Sequence, residues 1–178
     1  MNIFFLDRDP RVAAQYHCDK HVVKMILESA QLLATAHRIL DGNMVVEANK
    51  NGRKMKRWRL DDSRESVLYT ASHVNHPSAV WIRQNMDHYR WLYDLMYCLV
   101  VEYKHRYDDK YHKCEEMLGP LLDAPYNIDV TDWVDPPQAM LDDAKVPGDS
   151  VEAYRNYYRI HKRRMANWKI RGTPFWYK

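Results

Sequence analysis

The chain has 178 residues, 46% of them apolar and 12% aromatic, with a formal net charge of +3. This length suits one domain able to bury a core, and no apolar run approaches the roughly 20 residues that a membrane-spanning helix requires. Cys18, Cys98 and Cys114 fit neither a disulfide framework nor a zinc ribbon, and the start MNIFFLDRDP lacks the basic segment of a signal peptide, so one cytoplasmic domain over residues 1–178 is expected.

The first predicted helix begins at Asp9-Pro10, a cap followed by a proline that loses no needed hydrogen bond. Its apolar period runs to Leu40 and stops at Asp41-Gly42. Residues 44–60 read as a β-hairpin or extended loop around the turn signal Asn51-Gly52. After Asp61-Asp62-Ser63 comes a short helical or irregular stretch to His73, and Asn75-His76-Pro77-Ser78 then breaks the chain. A second long helix is expected from about Ala79 to Tyr107, with Ile82, Met86, Tyr89, Leu92, Met96, Leu99 and Tyr103 as its apolar stripe. A short helix over Tyr111 to Leu118 follows, then a long ordered loop over 119–148, pinned by Tyr126, Trp133 and Met140. Asp149 and Glu152 make a capping box for a last helix, roughly Ser150 to Lys169. Gly172 and Pro174 end it, leaving Phe175-Trp176-Tyr177 to fold back as an aromatic plug. The sum is a mainly α, single-domain helical bundle with one small hairpin.

The first helix carries an unusual stripe: His17, His21, Lys24, Glu28, Gln31 and Thr35 fall on one face, beside the apolar Val22, Val23, Ile26, Leu27, Ala30 and Leu33. Such a face suits the wall of a site. His17, His21 and Glu28 could ligate a divalent metal, yet a fixed ammonium at Lys24 is unfavourable beside a dication, so no cofactor is required. Proton transfer or phosphate contact by His17, His21, Lys24 and Glu28 is the metal-free alternative. His73, Asn75 and His76, with Trp81 and Arg83, form a second cluster, which either meets an anion or caps the helix. Glu102, Arg106 and His112 read as structural, Tyr154, Tyr157 and Tyr158 as core, and Cys18 as a weaker candidate nucleophile. Five glycines and no P-loop, GxGxxG, GxSxG or HExxH leave no glycine cradle for a mononucleotide.

Charge is unevenly placed. Asp108 to Glu152 is strongly acidic, whereas Ala153 to Lys178 holds no acid and the cations Arg155, Arg159, Lys162, Arg163, Arg164, Lys169, Arg171 and Lys178. A second basic cluster covers Lys50, Arg53, Lys54, Lys56, Arg57 and Arg59. Cations interleaved with aromatics suit a polyanion, since phosphates supply affinity and rings stack on bases. Nucleic acid or a nucleotide is therefore the expected partner, met by Lys54, Lys56, Arg57, Arg59, His76, Arg83, Arg155, Lys162, Arg163 and Trp176.

Three segments together resemble the small helical pyrimidine-dimer DNA glycosylases of the T4 phage endonuclease V type: AAQYH over Ala13 to His17, RWLYDLMYCLVVEYKHRY over Arg90 to Tyr107, and the aromatic-basic end TPFWYK over Thr173 to Lys178. The resemblance implies a nucleophilic amine at mature residue 2, assisted by a first-helix glutamate, with a Schiff base and strand elimination to follow. Here residue 2 is Asn2, a poor residue for removal of Met1, and the position expected to hold glutamate falls near Val23 or Lys24, with Glu28 more than one turn on. His17 matches by position. The leading expectation is an enzyme acting on a base or its glycosidic bond, with Glu28 or a histidine handling protons and Lys24 contacting phosphate or serving as the amine. A metal-dependent hydrolase or oxidase using His17, His21, Glu28 and His37, His73 or His76 is a second reading, and a non-enzymatic nucleic-acid-binding or host-inhibitor module a third.

Overall fold

A computed structural model describes residues 1–178. Its helices are α1 (Pro10–Tyr16), α2 (Asp19–Asp41), α3 (Arg64–Val67), α4 (Pro77–Ile82), α5 (Met86–Arg106) and α6 (Ser150–His161), and the sole sheet is the hairpin of β1 (Asn43–Ala48) and β2 (Lys54–Arg59). The chain is mainly α with a small antiparallel hairpin, and none of its helices is long and apolar enough to cross a membrane.

Both long predicted helices are interrupted. The first breaks at His17 and Cys18, which are extended. Carbonyls freed at such a break need partners, and distant side chains supply them: the Arg106 guanidinium donates to Gln15 and His17 carbonyls, and the Trp168 indole donates to Tyr16. Arg106 is buried with Asp19 and Glu102, to which it also donates, and Glu102 accepts from Arg171 as well. The expectation of a structural Glu102–Arg106 pair therefore holds, in a buried setting that raises its importance. The second helix ends at Ile82 and restarts at Met86, where the Asn85 side chain caps α5 through Asp87 N–H. The last helix stops at His161, eight residues short of Lys169.

Strand register pairs Met44 with Trp58 and Val46 with Lys56, and Gly52 takes the positive φ of 75° that closes the turn. Residues 119–141 are irregular apart from turns, and Asp142–Ala144 forms one 3-10 turn, in keeping with the ordered loop expected over 119–148. The core gathers around α2 and α5, joined by Ile3 to Leu6, which are almost fully buried. That opening apolar run lies over α2 and decides what becomes of its polar stripe.

Candidate functional site

The stripe divides in two. His17 and His21 are buried, with Phe4 lying over the His21 ring at a centroid distance of 4.2 Å. The pocket wall expected at these two histidines is thus replaced by core, because the Ile3–Leu6 segment covers them. His17 Nδ1 donates to the Ala13 carbonyl at 2.6 Å, and its Nε2 is buried without a partner. His21 Nδ1 accepts the Tyr158 hydroxyl at 2.5 Å. Neither ring faces a ligand, and no group of three or more His, Cys, Asp or Glu side chains is arranged to hold a metal, so His17, His21 and Glu28 are not assembled as the ligand set considered above. Cys18 is buried as well, and burial raises its thiol pKa, the opposite of an activated nucleophile.

Burial lowers the His17 pKa to about 4 and that of His21 to about 2. His37 is lowered to about 4 by burial, with the Arg64 guanidinium adding to the effect; its Nδ1 accepts from Arg64 and its Nε2 bonds to the Tyr89 hydroxyl. Each ring is neutral in the fold but binds a proton near pH 6.5 when unfolded. The unfolded chain therefore takes up more protons than the native one below pH 6.5, and stability falls as pH drops. We expect the melting temperature to be flat above pH 7 and to fall steeply between pH 6.5 and 4, each of these histidines contributing up to about 1.4 kcal/mol per pH unit. Thermal melts from pH 8 to 4 read this directly; an unchanged melting temperature down to pH 4.5 would contradict neutral burial.

The outer half of the stripe stays at the surface and gathers functional groups. Glu28 is 9% exposed, with Oε2 accepting the Asn2 main-chain N–H at 3.0 Å and Oε1 lying 3.0 Å from the Lys24 ammonium. Asn2 is itself clamped: its side-chain amide donates to the Ala139 carbonyl, and its Oδ1 accepts the Tyr154 hydroxyl. The loop after residue 136 and helix α6 thereby fix the main-chain nitrogen of residue 2 against the carboxylate. Lys24 is largely exposed, so its pair with Glu28 contributes little stability, and lysine N-terminal to glutamate is the weaker order for a helix pair. Thr35, two turns beyond Glu28, binds both the N–H and the carbonyl of Ser72 through its hydroxyl. The segment from Ser72 to His76 consequently runs beside the stripe, and α4 packs against α2.

Comparison with family models, with curated proteins and with solved structures found no match for this chain. Geometry and chemistry alone therefore argue for the site.

The candidate nucleic-acid contacts separate by how far their charges are already used. Lys54 and Lys56 are exposed on β2, half-buried Arg57 stands on its inner face, and none of the three has a carboxylate partner. Arg163 is exposed beyond α6, and Lys162 lies 4.7 Å over the Tyr157 ring. Four expected contacts serve the fold instead. Arg59 is bound to Glu47 and Glu65, and Arg83 donates to the Val74 and Ala79 carbonyls. Arg155 holds the Leu6 carbonyl and Asp7 beneath the Tyr16, Phe175 and Trp176 rings, and Trp176 is itself buried, so Phe175 is the exposed ring of the tail. In each case a nearby carbonyl, carboxylate or ring, brought in from elsewhere in the sequence, claims the group.

Glu28 was on the predicted stripe, but its pairing with residue 2 was not foreseen. The signal was the run Ile3-Phe4-Phe5-Leu6: an apolar strand-length segment at the chain start must pack somewhere, and the only long amphipathic surface near it was the first helix.

Proposed function

We propose that this protein acts on nucleic acid at a base or its glycosidic bond, with Glu28 as the group that handles protons. The observation that carries the reading is the Glu28 carboxylate, nearly buried, held by the Asn2 N–H and set 3.0 Å from a lysine amine. A positioned carboxylate beside an amine suits attack at the sugar carbon or activation of water there, with proton transfer to the departing base. It also recovers the pairing implied by the resemblance to pyrimidine-dimer DNA glycosylases, where a first-helix glutamate attends residue 2. While Met1 precedes Asn2 that nitrogen is an amide, which orients the carboxylate, and Lys24 is the amine beside it.

Position supports a nucleic-acid substrate. Helix α2 spans 23 residues, about 35 Å, close to one turn of duplex DNA. The cationic hairpin leaves its C-terminal end, and the basic segment after α6 meets its N-terminal end through Asp19 N–H and the Asn167 carbonyl. Glu28 lies between them. A target base inside a duplex would have to be flipped out to reach it.

The test is incubation of the protein with duplexes carrying an abasic site or ultraviolet damage, followed by gel analysis of strand breaks and of borohydride-trapped adducts. Base release or incision is the expected result, with a trapped adduct mapping to Lys24 if the amine route operates. Complete inertness toward single- and double-stranded substrates would remove the reading.

A further inference from the structure

We propose that His76 is a second functional side chain of the Glu28 site, presenting a neutral Nε2–H to a phosphodiester oxygen of the bound strand. This rests on the nucleic-acid reading above.

Placement comes first. Thr35 ties Ser72 to α2 at distances of 3.2 and 3.4 Å, and from there the chain turns back through His73 to His76 at the head of α4. That path brings His76 along the stripe toward Glu28, whose carboxylate is among the charges that act on the imidazole.

The ring's hydrogen bonding then sets its chemistry. His76 Nδ1 accepts the Ser78 N–H at 3.2 Å, so the lone pair is on Nδ1 and the neutral ring carries its proton on Nε2. The Nε2 atom has no partner within the protein and is not among the buried polar atoms left without one, which leaves it open to solvent. Burial lowers the His76 pKa, with the positive charges of Met1 and His73 adding to the effect, so the donor form is the neutral one at physiological pH. The donor is the imidazole itself, because α4 has only six residues and its N-terminal amides do not enter the argument.

A second observation concerns the turn that delivers the ring. His73 has a φ of 50°, in the left-handed region, and its carbonyl accepts the His76 N–H at 2.8 Å. Glycine or asparagine would meet that conformation at lower cost. An exposed histidine kept there instead, one short turn from a second one, accords with a surface selected for its side chains.

Two substitutions separate this role from simple capping. His76→Asn keeps an acceptor near the Nδ1 position and loses the Nε2 donor, while His76→Gln reaches toward the Nε2 position and loses the cap. On an abasic-site duplex, H76N should lower kcat/KM about ten- to a hundredfold, the loss expected for one hydrogen bond to a charged group, and leave the melting temperature unchanged. H76Q should retain more activity and melt earlier. Full activity of H76N, with damage confined to H76Q, would overturn the proposal and leave Glu28 chemistry standing. Should wild-type protein show no turnover, the Nε2 resonance of labelled His76 still decides. A shift on adding a duplex with a tetrahydrofuran abasic analogue supports the contact, and an unmoved resonance overturns it.

Discussion

Glu28→Gln should abolish turnover while leaving the fold intact. Glutamine matches glutamate in size, and its carbonyl oxygen can still accept the Asn2 N–H, so the chain start stays docked on α2. What disappears is the ability to take and return a proton, together with the negative charge beside Lys24. General acid–base groups contribute about 10²–10⁴-fold to rate, so a loss of this size in base release is expected, with duplex affinity within a few-fold of wild type. Loss of the Lys24 pair costs at most about 1 kcal/mol of stability, because the lysine is largely exposed. A structural anchor would behave differently. E28Q would then be nearly silent, and Glu28→Ala, which frees residue 2, would be the damaging change. Kinetics and melting curves of the two variants side by side distinguish the cases.

Arg106→Met should be the most destabilising single change on the α1–α2 side of the molecule, at about 3–5 kcal/mol. The guanidinium is buried and donates to Glu102, Asp19 and the carbonyls of Gln15 and His17. Methionine fills much of the volume but satisfies none of these groups. Asp19 keeps only the Lys169 N–H and its place in the first turn of α2, and two carbonyls at the helix break lose their donors. Arg106→Lys should fare little better, because one ammonium cannot reproduce the fork that serves two carbonyls and two carboxylates at once. Denaturant unfolding measures the effect. A loss below 1 kcal/mol would show that the break at His17 and Cys18 does not depend on this network.

The same network explains what could and could not be read in the sequence. The hairpin was legible because Asn51-Gly52 and alternating flanks are local signals, and so were the caps at Asp9, Asp149 and His76. The breaks at His17 and at Arg83–Asn85 were not, because no glycine or proline marks them and the apolar period runs through both. Their cause lies up to 91 residues away, in the side chain of Arg106 and, for the second, in loop carbonyls of Thr131 and Asp132 that hold Asn85. The stripe from His17 to Thr35 was visible as a pattern, but its inner half became core when Phe4 packed on it, a contact that periodicity within one helix cannot report. Spacing along the helix also placed Glu28 too far from residue 2. The opening strand crosses α2 at an angle the sequence does not encode locally, and it delivers Asn2 to Glu28 across 26 residues. Cations were easy to count and hard to apportion, since Arg59, Arg83 and Arg155 look no different in sequence from Lys54 and Lys56.

A nucleic-acid site centred on Glu28 makes one spatial demand that no activity assay is needed to check. Amide and side-chain resonances of labelled protein, followed during titration with a short duplex carrying a tetrahydrofuran abasic analogue, should move most at Asn2, Lys24, Glu28 and His76, with smaller shifts at Lys54 and Lys56 on the hairpin. Shifts confined to the opposite exposed patch at Tyr97 and Val101 of α5, or absent from the Glu28 surface at saturating duplex, would contradict the account.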